Sequence, residues 1–267
     1  MSNPMLLHRE FKPGAAPGQL VGEVILSKVP EVTLGFWVIK IVATTLGELG
    51  GNAVSRTLEL GYFWGSVIFG LPLIAFILTQ VKAERFNSSL YWSTITLSTL
   101  AGTTMADFFT RSIGIGYLGG SLTLFGLVIG TLAIWQKSMG SVDIATVVTP
   151  KAETFYWTTI VFSQTLGTAL GDWMADSTPL GYIGSALLIT AVLVVLAGLY
   201  YRTAVSHTTL FWSAFILTRP LGATVANTLD KPVASGGLAI NDLVLSGIFA
   251  VLMLVCLFLI PQRSGRH

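Results

Sequence analysis

The sequence predicts an all-α membrane protein of eight transmembrane helices, built as four parallel two-helix repeats around a pseudo-symmetry axis. Three observations carry this. First, the 267 residues are 52% hydrophobic and only 10% charged, with a mean hydropathy of +0.73, whereas a soluble domain carries about 25% charged residues. Second, eight apolar runs are each long enough to span a bilayer, which takes about 20 residues; they lie near 36–57, 61–81, 91–112, 116–136, 155–176, 180–200, 209–230 and 239–260. Third, the chain repeats itself. The pairs Phe36-Trp37, Tyr91-Trp92, Tyr156-Trp157 and Phe211-Trp212 are each followed, ten residues after the Trp, by Gly47, Gly102, Gly167 or Gly222. Fifteen residues after the Trp comes Asn52, Asp107, Asp172 or Asn227.

The Trp-to-Trp spacings of 55, 65 and 55 residues mark a repeat architecture. An even number of spans per repeat sends every copy into the membrane in the same direction, so the copies are parallel and not the inverted repeats of many transporters. Residues 1–34, with Pro4, Pro13, Pro17 and Pro30, read as a loose cytoplasmic lead-in with a short interfacial helix near Leu20 to Ser27 and no signal peptide. Residues 35–262 form one eight-span domain, with repeats near 36–82, 91–137, 156–201 and 211–260. The aromatic pairs are expected at the cytoplasmic interface, where Trp and Tyr prefer to sit. The second helix of the first three repeats opens after Leu60-Gly61-Tyr62, Ile115-Gly116-Tyr117 or Leu180-Gly181-Tyr182, a turn glycine and an aromatic. These second helices read as lipid-facing, and each repeat as a hairpin.

Charge placement gives an orientation. Arg9, Lys12, Lys28, Lys82, Arg85, Lys137, Lys151, Arg202, Arg263 and Arg266 fall on the side of the N-terminus, against Arg56, Arg111 and Lys231 on the other. The excess puts both termini in the cytoplasm. The net charge of +2 shows no clustered basic face for nucleic acid. Single Cys256 excludes an intrachain disulfide.

Inside the membrane the polar residues are ordered. Offsets 3, 7, 11 and 15 from each Trp share one helix face. That face presents Lys40, Thr44, Glu48 and Asn52 in the first repeat; Ile95, Thr99, Thr103 and Asp107 in the second; Ile160, Gln164, Thr168 and Asp172 in the third; and Phe215, Arg219, Ala223 and Asn227 in the fourth. Offsets 10 and 14 hold only Gly or Ala, which lets membrane helices approach closely. Four first helices packed about an axis with their polar lines inward satisfy both patterns. Offset 10 lies about 15 Å past the Trp, near mid-membrane, and offset 15 about 7 Å further.

An ionised carboxylate at that depth costs at least about 2.5 kcal/mol unless paired or wet, so intramembrane acids are functional candidates. Two accounts stand side by side. In one, Glu48, Asp107 and Asp172 pair with Lys40 and Arg219 and merely fix helix register. In the other, Glu48, Asn52, Thr103, Asp107, Thr168, Asp172 and Asn227 form an oxygen-lined substrate site, with Lys40, Arg219 and Asp176 gating or pairing charges and Asp107 and Asp172 as metal ligands. Oxygen ligands suit hard or borderline cations, and carboxylates also carry protons. Asp230, Lys231, Arg56 and Arg111 are expected at the outer mouth. No soft-metal set exists, since His8, His207 and His267 lie in tails or loops. No nucleophile elbow, phosphate loop or cofactor fingerprint occurs, so the chain reads as a non-enzyme without cofactor.

Four tandem Trp-marked repeats, with Lys28-Val29-Pro30-Glu31-Val32-Thr33 ahead of the first and Thr218-Arg219-Pro220-Leu221-Gly222-Ala223-Thr224 in the last, resemble a family of bacterial membrane proteins catalogued as a repeat of unknown function. The resemblance covers residues 26–260 and implies architecture, a bacterial inner membrane and no particular activity. It also implies that relatives carry Asp where this chain has Asn52 and Asn227, which lowers the negative charge of a shared site here. The expected function is secondary transport or facilitation of a small inorganic cation, divalent metals included, with protons as the coupling ion. The alternative is a non-transporting scaffold or sensor whose buried charges are structural. Its expected partners are the lipid bilayer and the transported ion; nothing in the sequence marks an oligomeric state.

Overall fold

A computed structural model describes residues 27–265; most of the lead-in, including its expected helix, and His8 and His267 lie outside them. Among the described residues there are eight α-helices and no strand beyond a single bridge between Pro30 and Ser264. They are α1 (Leu34–Asn52), α2 (Gly61–Lys82), α3 (Ser88–Asp107), α4 (Gly116–Met139), α5 (Pro150–Ser177), α6 (Gly181–Arg202), α7 (His207–Asp230) and α8 (Asp242–Leu259).

The first helix of every repeat starts on a side-chain cap: Thr33, Asn87, Thr149 and Ser206 each accept a hydrogen bond from the backbone N–H three residues on. Such a cap contributes about 1 kcal/mol. Pro150, at the first turn of α5, has no N–H that would go unused there. Between the first and second helices of the first two repeats, Ala53–Thr57 and Phe108–Ser112 widen into π-helical turns. Gly61, Gly116 and Gly181 then open α2, α4 and α6 with φ of +75°, +75° and +62°, a left-handed backbone that L side chains adopt only at a cost.

The four first helices form a closed ring: α1 packs on α3 and α7, and α5 packs on the same two. Small residues set the approach. A Cβ at Gly47 would overlap Thr99, one at Gly102 would press on the backbone of Gln164, one at Gly167 would overlap Arg219, and one at Gly222 would overlap Thr44. In each case offset 10 of one repeat meets offset 7 of the next, and the fourth repeat returns to the first. The pseudo-four-fold is therefore built from backbone proximity that any larger residue would break.

The aromatic pairs obey the same cycle. Phe36 lies against Trp92, Tyr91 against Trp157, Tyr156 against Trp212 and Phe211 against Trp37, with ring centroids 5.4, 5.6, 6.0 and 5.9 Å apart. Trp92, Trp157 and Trp212 are buried and Trp37 partly so, so the pairs face one another more than lipid. They close the end of the ring, where edge and tilted aromatic contacts add to burial.

The second helices surround the ring, but not as hairpins. Helix α2 packs mainly on α3, α4 on α5, α6 on α7, and α8 returns to α1. Each repeat thus covers its neighbour, and the last closes on the first. Five helices are long and apolar enough to cross a membrane: α1 with its π turn, α2, α4, α6 and α8. The expected count of eight falls short at α3, α5 and α7 because their polar faces, turned inward, lower the mean hydropathy. In contrast, α2, α4, α6 and α8 expose residues such as Leu71, Leu122, Val194 and Phe258 outward.

At the aromatic end, residues 27–31 are not loose. Val29 is buried in the main core; the backbone N–H of Glu31 donates to Arg263 and that of Gly265 to Val29. Lys28 Nζ meets Glu153 Oε1 at 2.5 Å. Burial pushes the Glu153 carboxyl above its ordinary range, against the pull of Lys28.

Candidate functional site

The inward faces of the ring stack into four tiers, one residue per repeat in each. From the aromatic end they are Lys40, Ile95, Ile160 and Phe215; Thr44, Thr99, Gln164 and Arg219; Glu48, Thr103, Thr168 and Ala223; and Asn52, Asp107, Asp172 and Asn227. None of these side chains belongs to a residue more than 2% exposed. The helical spacing of four residues and the glycine contacts together bring them to one column.

All four repeats meet at Arg219. Its Nη2 donates to Glu48 Oε2 at 3.1 Å, to Thr103 Oγ1 at 2.6 Å and to Thr168 Oγ1 at 2.6 Å. Nη1 donates to the Thr44 carbonyl at 3.4 Å. The Thr168 hydroxyl also lies 3.2 Å from Glu48 Oε2. An ion pair this deep is tolerated because the hydroxyls and carbonyls replace hydration. The charge is nevertheless locked: Glu48 is held by Arg219, two threonines and, more weakly, Asn52 Nδ2 at 3.5 Å.

The outer tier is organised by a residue that the sequence assigned only to the mouth. Arg111 Nε donates to Asp107 Oδ1 at 2.7 Å and Nη2 to Asp172 Oδ2 at 3.0 Å. Asn227 Nδ2 donates to the other Asp172 oxygen at 3.0 Å. Asp107 and Asp172 thus come from different helices to a single guanidinium. Unlike Arg219, Arg111 keeps 32% of its side chain exposed. Asn52 reaches Asp230 Oδ2 at 3.3 Å, and Lys231 Nζ stands 4.0 Å from the same oxygen.

Asp107 and Asp172 do converge, but on an arginine, and among the described residues no three His, Cys, Asp or Glu side chains cluster. Two expectations need correction. Lys40 pairs with no carboxylate among the described residues; its Nζ lies 3.7 Å from the centroid of the Phe215 ring, a cation–π contact. Asp176 makes no ion pair there either. It is exposed at the end of α5 and accepts from Tyr182 Oη at 2.8 Å and Tyr117 Oη at 3.3 Å, because α5 continues straight where α1 and α3 take a π turn. Arg111, expected at the outer mouth, turns inward from one helical turn beyond Asp107 to reach both carboxylates. The offset-19 position holds Arg56, Arg111, Asp176 and Lys231, and of these Arg111 and Lys231 bear on the column.

No curated protein and no solved structure matches the chain. Residues 35–86, 90–141, 155–206 and 210–262 each match one copy of a single repeat family; every match begins one residue ahead of an aromatic pair and closes after a second helix. Four such copies cover the ring, its outer helices and the whole column, and the chain belongs to the family described as Repeat of Unknown Function (DUF347).

Proposed function

We propose that this bundle lies in the bacterial cytoplasmic membrane with both termini on the cytoplasmic side, and acts as a secondary transporter or facilitator of a small inorganic cation along the axial column. The observation that carries the proposal is the convergence of Asp107 and Asp172 on Arg111, at the partly exposed end of a column reaching from Lys40 to Asn227. An apolar outer surface and the basic aromatic end, with Lys28, Lys82, Lys137, Lys151 and Arg202, support the placement.

Magnitudes favour a functional column. Each charge at mid-membrane costs about 2.5–3.5 kcal/mol on insertion scales, and a well-packed apolar core in place of a buried ion pair is often neutral or more stable. Stability alone gives no reason to keep such groups. In operation, Arg111 serves as the resident counter-ion of the carboxylate pair. When it swings toward solvent, it leaves carboxylate oxygens from two helices to a cation, or one of them to a proton. Glu48, fixed by Arg219, stays in place.

Uptake of a panel of monovalent and divalent cations into proteoliposomes, with a pH-sensitive dye inside, tests this. Wild-type protein is expected to carry one of them saturably, and Asp107→Asn/Asp172→Asn to lose at least tenfold in rate. Unchanged uptake in that variant would sink the proposal. A second account, a scaffold or sensor, draws on the enclosed ion pair of Arg219 with Glu48 and its flanking threonines. It expects the same variant to melt earlier while no cation shifts the wild-type melting temperature.

A further inference from the structure

We propose that Lys40, Gln164 and Arg219 form a buried site for a small, singly protonated oxyanion such as hydrogencarbonate, on the aromatic side of the Glu48–Arg219 pair. Four polar atoms there have no hydrogen-bond partner among the described residues: Lys40 Nζ, Gln164 Nε2, Gln164 Oε1 and Arg219 Nε. All three residues are 0% exposed. Orphaned buried polar groups are rare and each calls for a partner.

The groups belong together. The stem of Arg219 crosses α5 at Gly167, where a Cβ would overlap its Cβ and Cγ, and Gln164 lies three residues earlier on α5, on the same face. Lys40 Nζ stands over the ring of Phe215 at 3.7 Å, one helical turn from Arg219 on α7. Lys40 in the first tier and Gln164 and Arg219 in the second therefore bring their side chains to neighbouring levels of the axis from α1, α5 and α7. Charge points the same way. Glu48 answers Arg219, Asp107 and Asp172 answer Arg111, and Asp230 lies near Lys231, whereas Lys40 alone of the buried cations has no carboxylate among the described residues. A monoanion would supply it.

The donor and acceptor pattern narrows the ligand. Lys40 Nζ, Arg219 Nε and Gln164 Nε2 donate, while Gln164 Oε1 only accepts. Because both Gln164 atoms are free, turning the amide over leaves the same pattern. A halide would leave the acceptor unanswered. A singly protonated oxyanion donates one hydrogen bond to Oε1 and accepts the others.

This site goes beyond cation transport and shares no residue with the Asp107–Asp172 pair, so either can fail without the other. Its test is thermal unfolding of the purified protein at constant ionic strength, with gluconate replaced stepwise by hydrogencarbonate, nitrate or chloride. A saturable rise in melting temperature is expected with hydrogencarbonate, at least tenfold weaker apparent affinity for nitrate and chloride, and a loss of at least tenfold in Lys40→Met and Gln164→Leu. Asp107→Asn/Asp172→Asn is expected to keep the response. Absence of any saturable shift in the wild type would overturn the site, and so would a full response in Lys40→Met. Should Lys40→Met fail to fold, Gln164→Leu, which removes no charge, decides by the same criterion. Equal affinity for chloride would overturn the oxyanion assignment.

Discussion

Two arginines serve the same column in opposite ways. Arg219 is wholly enclosed and binds a carboxylate, two hydroxyls and backbone carbonyls drawn from the other three inner helices. Arg111 faces two carboxylates from neighbouring helices but keeps about a third of its side chain in reach of solvent. The first arrangement is a clasp, since moving either partner strands a charge with no water to replace it. Under the transport proposal the second is a latch, because hydration compensates the guanidinium as it leaves. The difference teaches that a charge pair enclosed on every side is fixed, while a pair with one exposed partner can exchange.

The sharpest way to break the comparison is to remove one charge from the clasp. Glu48→Gln leaves Arg219 uncompensated and should cost about 3–5 kcal/mol, seen as loss of folded protein in a detergent or SDS unfolding titration. A cost below about 1 kcal/mol would mean that Arg219 is hydrated after all. Next comes the ring that brings the two arginines to one axis. Gly47→Ala places a Cβ into Thr99 and should destabilise by about 1–3 kcal/mol. Gly70→Ala, on an outer helix with nothing near its Cβ position, should stay within about 0.5 kcal/mol of wild type. Equal effects would deny the close approach.

Arg111→Ala should cost about 1.5–3 kcal/mol, under the Glu48 variant, and should alter the concentration dependence of uptake more than the melting temperature. The smallest effect concerns pH at the aromatic end. The Glu153 carboxyl is raised by burial, so the folded state holds that proton more tightly than the unfolded chain. Its contribution to stability is full below the ordinary carboxylate range and declines as pH rises through the raised value. Glu153→Gln should flatten that part of a melting-temperature profile, and an unchanged profile would assign the slope to another group.

Much of this architecture was written in the chain. Gly47, Gly102, Gly167 and Gly222 in one register, and a polar face at four-residue spacing, were enough to place four helices around an axis, because both patterns have a single geometric solution. The order of the outer helices was not legible. Residues such as Leu73 and Ile77 pack equally well on any apolar groove, so nothing local shows that α2 leaves its own repeat for α3. The preference of Trp for lipid headgroups predicts an interfacial place for Trp92 and Trp157, whereas their neighbours here are the Phe and Tyr of the preceding repeat. Charge balance alone predicts a carboxylate for Lys40. Counting overlooks distance, and Arg111, one turn beyond the stripe as drawn, was nearer.

The claim beneath the transport proposal is that Asp107 and Asp172 act as one site. A double-mutant cycle on saturable cation uptake, with Asp107→Asn, Asp172→Asn and the two combined, tests it most directly. One shared site predicts that the combined variant is no worse than either single one by more than about twofold. Losses that multiply would show two independent positions and contradict the account.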